Sequence, residues 1–305
     1  MNSSDIGPRA LRYVLITPAR NEAEYIEQTI RSMVSQTHLP ARWIIVDDGS
    51  TDGTGEIVAA YSSRHEWIEL LSLPARSGRT FGGKAIAFNS GYRRVKSINV
   101  DIIGNVDADI SFGQDHMAFL LGKFAANPRL GVAGTPFREG SQQYDYRFTS
   151  MEHVSGACQL FRRECLESIG GYTPLKEGGI DLLAVIKARM NGWQTRTFPE
   201  RFCVHHREMG TGMNRGLDVP FKGGRHDYQM GVHMVWQFFR CLYQMTRKPY
   251  VVFGSALLAG YLWGMITRAD RIVPRDVIEF RKREQIARLR SHLRGMFGTT
   301  DRGGV

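Results

Sequence analysis

The 305-residue sequence predicts an α/β fold, a mostly parallel sheet flanked by helices, with a helical extension after it. Three observations carry this. Short β-branched runs end in polar tips, and a helical pattern follows each tip. Near residue 211 the texture changes to glycines and basic residues, then to apolar and amphipathic stretches. The expected division is residues 1–210 for the sheet-bearing part and 211–305 for the extension.

The first strand is expected at Tyr13-Val-Leu-Ile-Thr, with the loop Pro18-Ala19-Arg20-Asn21-Glu22 and a helix from Glu24 to Ser35. A second strand, Arg42-Trp-Ile-Ile-Val, ends in Asp47-Asp48-Gly49-Ser50, and a helix begins at Thr54. Ile68 to Leu73 reads as a third strand. Phe81-Gly-Gly83-Lys84 then opens a helix with two glycines and a cation. Asp101-Ile-Ile-Gly-Asn-Val is apolar and β-branched, as in a strand covered on both faces. It delivers Asp107-Ala108-Asp109. If the extended backbone persists through Ala108, both carboxylates point to one side and can share a cation. Oxygen ligands without nearby thiols favour Mg2+ or Mn2+ over zinc. Each signal alone has a plainer reading: turn carboxylates, a solvated lysine, a helix cap.

A hydrophobic fraction of 42% with 11 prolines excludes a disordered chain, and a net charge of +10 points to an anionic partner. Cys158, Cys165, Cys203 and Cys241 lack Cys-x-x-Cys spacing and suit reduced thiols. The N-terminal residues carry no charged-then-apolar signal pattern, so the folded part is expected on the cytoplasmic side.

In order and spacing, these motifs resemble the inverting nucleotide-sugar glycosyltransferases of family 2, which have the GT-A fold, a Rossmann-like sheet between helices. The matching residues are Thr17 to Glu22, Val46 to Thr54, Gly83-Lys84-Ala85 with Ala87, Asn89 and Gly91, and Asp107-Ala108-Asp109. The resemblance implies a UDP- or GDP-sugar donor. It assigns base and ribose to the Pro18–Glu22 loop and Asp48, with Asp47 alongside. Gly83, Lys84 and Ala108 fall on the donor side. Asp107 and Asp109 would hold Mn2+ or Mg2+ at the diphosphate.

The second half is expected to supply acceptor binding and a base. Val132 to Phe137 reads as a strand, and Gly156 to Leu166 resembles the family's strand and basic turn in the acceptor region. Family members commonly show Glu-Asp, a helix, and a glycine eleven residues after the Asp. Asp181 and Gly192 keep that distance, with Ile180 in place of the usual Glu. Asp181 is therefore the candidate general base, with Glu177 in reserve. A carboxylate there also suits a helix N-cap. After another short strand, His205 or His206 can join the metal and Arg207 can pair with phosphate. The two histidines point opposite ways if the strand continues, so at most one reaches the ion.

Gly210 to Gly216 and Phe221 to His226 read as a mobile basic loop, and Tyr228 to Met245 as amphipathic. Tyr250 to Ile266 carries no charge, but its helix would span about 26 Å against a hydrocarbon core of ~30 Å. The segment from Arg275 to Arg294 has the pattern of a helix lying on anionic lipid. These features predict peripheral or re-entrant association with the cytoplasmic face of the inner membrane, and a polyprenyl-linked or saccharide acceptor. Nucleic acid is not expected, because the basic residues interleave with aliphatic rather than aromatic ones. Two rivals remain. A nucleotidyltransferase would carry a glycine-rich phosphate loop after strand one. A basic membrane-binding adaptor would bind without turnover.

Overall fold

The computed structural model describes residues 10–75, 81–139, 142–143, 150–207 and 217–297, in two compact units, Met1–Glu208 and Met209–Val305. In the first unit, β1 (Tyr13–Ala19), β2 (Arg42–Asp47), β3 (Ile68–Ser72) and β4 (Ile102–Val106) alternate with α1 (Ile26–Val34), α2 (Thr54–Ser62) and α3 (Phe81–Val95). All neighbouring pairs among these strands are parallel, in the order β3-β2-β1-β4. The chain builds outward to β3, then returns through α3 to the far side of β1. That reversal between β1 and β4 is a topological switch point, where ligands bind beyond the carboxyl ends of the strands.

The chain continues through β5 (Ile110–Phe112), α4 (His116–Ala126), β6 (Leu130–Gly134), β7 (Phe137–Glu139) and β8 (Gln142–Gln143). It then forms β9 (Cys158–Arg162), α5 (Arg163–Ser168), α6 (Ile180–Met190), β10 (Gln194–Thr197) and β11 (Cys203–His205). β9 inserts antiparallel between β4 and β6, so its amino end lies beside the carboxyl end of β4, with Val106 opposite Cys158. β10 completes a seven-stranded sheet. A second sheet, β5-β11-β7-β8, carries the segment around His205 to the residues that follow β4. The expected single strand from Val132 to Phe137 is therefore two, broken at Thr135-Pro136 and shared between the sheets.

Trp43, Tyr13, Phe88, Phe124 and Phe161 fill the core, and the two polar tips among them are satisfied. Trp43 Nε1 donates to Thr17 Oγ1 at 2.9 Å and Tyr13 OH to the His38 carbonyl at 2.6 Å. α3 lies close on the sheet because Gly91 has no side chain: a Cβ there would come 2.7 Å from Ile16 and 2.9 Å from Val46.

The second unit comprises α7 (Asp218–Gln229), α8 (Met234–Met245), α9 (Val252–Ile266) and α10 (Arg275–Phe297). Phe221 to His226, expected as loop, is helical. Gly224 within it and Gly260 of α9 serve helix contact: a Cβ on Gly224 would sit 1.9 Å from the Leu257 carbonyl oxygen, and one on Gly260 1.9 Å from that of Phe221. The other half of that expected loop, Gly210 to Gly216, lies outside the described residues. No helix among the described residues is long and apolar enough to cross a membrane. In α10, Val277 and Ile278 pack inside the unit, and Arg281 donates to the Met230 carbonyl at 2.9 Å. Exposed large apolar side chains among the described residues of this unit include Phe238, Phe239 and Leu242 on α8, Tyr250 and Val251 before α9, and Trp263 and Ile266 on α9.

Candidate active site at the carboxyl ends of the strands

β4 ends at Val106 and residues 108–109 form a turn, so strand alternation does not set the directions of Asp107 and Asp109. Asp107 meets Lys84 Nζ at 2.5 Å. Lys84 lies in the first turn of α3, and there burial alone would depress the ammonium. The carboxylates of Asp107, Asp181 and Asp109 outweigh that and raise its pKa. Burial and the neighbouring charge of Asp109 raise the carboxyl of Asp107 against the pull of Lys84. Lys84 thus pairs with Asp107.

Asp109 faces the second sheet. β11 pairs with β5 so that His205 lies opposite Ile110, and His205 Nε2 comes 3.5 Å from Asp109 Oδ1. His205 Nδ1 is oriented by Glu139 at 3.2 Å and by the Arg207 carbonyl. His206 points the other way, to Ser111 Oγ at 2.8 Å, and burial depresses its pKa. Of the two candidates, His205 is therefore the one beside Asp109. Arg207 reaches Asp109 Oδ2 at 3.6 Å through Nε and pairs with the buried Glu22 through Nη2.

That contact ties the site to the loop after β1. Pro18 and Ala19 end the strand, and Arg20 Nη1 donates to the Asp48 carbonyl at 3.0 Å with the Asp48 carboxylate 3.8 Å away. Asn21 adopts a left-handed backbone, φ 53°, held by Ser50 Oγ, which accepts its N–H, and by the Thr51 N–H, which donates to its Oδ1. Asp47 turns into its own loop, accepting the Ser50 N–H at 2.9 Å. Gly83 is buried in α3, and Ala108 is buried with its carbonyl accepting from Thr29 Oγ1 at 2.8 Å.

Asp181 is the second residue of α6, aimed by Gly178 and Gly179, both at positive φ. The N-cap is Gly179, so the capping role falls away. Asp181 Oδ2 instead accepts from the Gly156 N–H at 3.1 Å. Glu177 is exposed on the preceding loop. Sequence reasoning missed Asn105 and Glu139, and placed Gly156 only at the start of the acceptor-region stretch. A lone polar residue in Ile-Ile-Gly-Asn-Val was the available signal for Asn105.

The family model described as glycosyl transferase family 2 matches residues 14–174. The chain belongs to that family. A poly-beta-1,6-N-acetyl-D-glucosamine synthase of Staphylococcus epidermidis is 25% identical over 170 residues, 49% of this chain and 39% of that protein. A putative teichuronic acid biosynthesis glycosyltransferase of Bacillus subtilis is 37% identical over 93 residues, 30% of this chain and 35% of that one. The chain thus matches well under half the length of these curated relatives. A mannosyltransferase from Pyrobaculum calidifontis, solved with GDP-Man and Mn2+, superposes with a TM-score of 0.58 at 20% identity, over 95% of this chain and 83% of that one. That likeness establishes the fold, a GT-A sheet.

The family fold implies a divalent metal. Among the described residues no three His, Cys, Asp or Glu side chains form a complete protein cage. A hard cation held by one or two carboxylates plus substrate phosphates needs none. Asp109 Oδ1 and His205 Nε2, 3.5 Å apart, are close to the separation of about 3 Å that two adjacent octahedral ligands require. The donor set fits.

Proposed function

We propose that this family 2 member is an inverting glycosyltransferase that moves a sugar from a UDP- or GDP-sugar to a saccharide or polyprenyl-linked acceptor in bacterial surface polysaccharide synthesis. The observation that carries this reading is the gathering of three carboxylates at the switch point of the sheet: Asp107 on Lys84, Asp109 on His205 and Arg207, and Asp181 on the Gly156 N–H, whose turn Asn105 ties to Asp107. The names of the relatives support the polysaccharide, and the bound groups of the structural neighbours support the donor and Mn2+.

In this mechanism the Pro18–Glu22 loop and Asp48 receive base and ribose, and Lys84 and Arg207 receive the diphosphate. Asp109 and His205, with Asp107 alongside, would hold Mn2+ or Mg2+, which when bound supplies positive charge against the leaving diphosphate. Asp181 takes the acceptor hydroxyl proton as that oxygen attacks the anomeric carbon from the face opposite the diphosphate. Its Oδ2 stays tethered to the Gly156 N–H, leaving Oδ1 for the proton.

Purified protein is mixed with UDP- and GDP-sugars and Mn2+, and thermal shift and donor hydrolysis are followed. One nucleotide class should raise the melting temperature and be slowly hydrolysed. Failure of every sugar nucleotide to bind or react contradicts the reading. The helical unit is the proposed contact with the cytoplasmic face of the membrane, because exposed Phe238, Phe239, Tyr250 and Trp263 occur together with exposed Arg247, Lys248 and Arg268. Vesicles containing anionic lipid should carry the protein on flotation. Equal recovery with and without vesicles rejects the contact.

A further inference from the structure

Two buried amides lie side by side beneath the site. Asn105 on β4 and Gln159 on β9 are register partners, each fully buried. The rest of β4 is Ile102, Ile103, Gly104 and Val106, and β9 adds Cys158, Leu160 and Phe161 before ending at Arg162. Buried amides cost free energy unless they are hydrogen-bonded, so apolar residues would be the simpler choice there. Both amides reach the same turn. Gln159 Nε2 donates to the Val154 carbonyl at 3.0 Å, and Asn105 Nδ2 to the Gly156 carbonyl at 2.7 Å.

Asn105 Nδ2 also donates to Asp107 Oδ1 at 3.2 Å. A carbonyl and a carboxylate only accept, so the amide orientation is fixed by its partners. Its Oδ1 is left buried with no partner among the described residues. Leaving an acceptor unsatisfied is unfavourable, and a purely structural role would be better served by an apolar side chain. Gln159 Oε1 accepts from the hydroxyl of Tyr172, which burial keeps protonated. The Tyr172 backbone is clamped by Asn89, whose Nδ2 donates to the Tyr172 carbonyl at 2.7 Å and whose Oδ1 accepts its N–H at 3.2 Å. That segment leads into Gly178, Gly179 and α6.

We propose that Asn105 and Gln159 are positioning residues: together they hold the Val154–Gly156 turn, whose Gly156 N–H orients Asp181, in fixed register with Asp107 and Lys84. The inference rests on Asp181 being the base. Asn105 spans the two halves of the reaction, since one amide group touches both the donor-side carboxylate and the turn that orients the base.

The test is a double-mutant cycle in the full chain, with Asn105→Leu made in the parent and in the Asp181→Asn background. Sugar transfer or donor hydrolysis by the parent is measured first. Its absence with every UDP- and GDP-sugar overturns the proposed function and this inference with it. With an active parent, Asn105→Leu should lower kcat about 10- to 100-fold. The Kd of UDP or GDP with Mn2+ should stay within about threefold. In the Asp181→Asn background the same change should lower the residual rate less than about twofold, because the group being positioned is gone. An equal loss in both backgrounds, or a kcat within twofold of the parent, overturns the positioning role while leaving the proposed function standing. If Asn105→Leu lacks a cooperative melting transition, Gln159→Met is read by the same criteria.

Discussion

Gly156→Ala probes the hold on Asp181 with a single added methyl group. Its backbone is not left-handed, so alanine is accommodated without φ strain. The new Cβ would lie 3.0 Å from Asp181 Cβ, 3.1 Å from Oδ2 and 3.2 Å from Cγ. Carbon–carbon contacts settle near 3.5–4.0 Å, so the carboxylate must retreat by roughly half an ångström. The Gly156 N–H bond to Oδ2, already 3.1 Å, then opens beyond useful length. A misplacement of 1 Å costs about 100-fold in rate, so half of that predicts about a tenfold fall in kcat, or ~1.4 kcal/mol. Initial rates of sugar transfer, nucleotide Kd and melting temperature are compared with the parent. The Kd should not move, because the added methyl group faces the base rather than the donor. A folded Gly156→Ala enzyme with parental kcat, or one whose rate loss is matched by weaker nucleotide binding, refutes the reasoning. Gly122→Ala is the control: a Cβ there meets nothing within 4 Å inside α4, so stability should rise by ~0.5–1 kcal/mol with no change in rate.

Burial pushes His116 down to about 4, with its ring beside Thr135 and Cys158. Unfolded histidine titrates near 6.5, so the unfolded chain binds the extra proton first as the pH drops. This contribution is fully present above about pH 6.5 and is lost toward pH 4, amounting to about 3 kcal/mol. His116→Gln should flatten the fall in melting temperature between pH 7 and 4.5, and an unchanged pH slope would contradict the assignment. In the helical unit, Gly260→Ala puts a methyl 1.9 Å from the Phe221 carbonyl oxygen, and separating α7 from α9 should cost ~3 kcal/mol or more. Hydrogen exchange in both helices should accelerate, and parental protection would show that the close contact is not needed.

The alternation of apolar runs and polar tips made the parallel half of the sheet legible, because each buried strand must be apolar on both faces and each tip must face solvent or ligand. Asp181 stands out in the sequence through its distance from Gly192, but its hydrogen bond to Gly156 does not, since nothing local links residues 25 apart. The condition for Asp107 and Asp109 to share a side, an extended backbone through Ala108, is not met, because the chain turns there between β4 and β5. Gly223-Gly224 signals backbone freedom in sequence and so suggests a loop, whereas in the fold Gly224 allows backbone contact between helices. Burial of Val277 and Ile278 in α10 and exposure of Phe238, Phe239 and Trp263 on α8 and α9 were likewise not legible, since apolar periodicity does not say which helix faces a neighbour.

In the proposed reaction Asp109 serves donor binding and Asp181 serves proton removal. Nucleotide binding with Mn2+ and sugar transfer, measured side by side on Asp109→Ala and Asp181→Asn, test it most directly. Asn at position 181 can still accept the Gly156 N–H but cannot take the hydroxyl proton. The account predicts that Asp181→Asn binds nucleotide within about threefold of the parent while transfer falls by about 100-fold or more, in line with loss of a general base. It predicts that Asp109→Ala loses Mn2+-supported binding. Parental transfer by Asp181→Asn, or parental Mn2+-supported binding by Asp109→Ala, would contradict it.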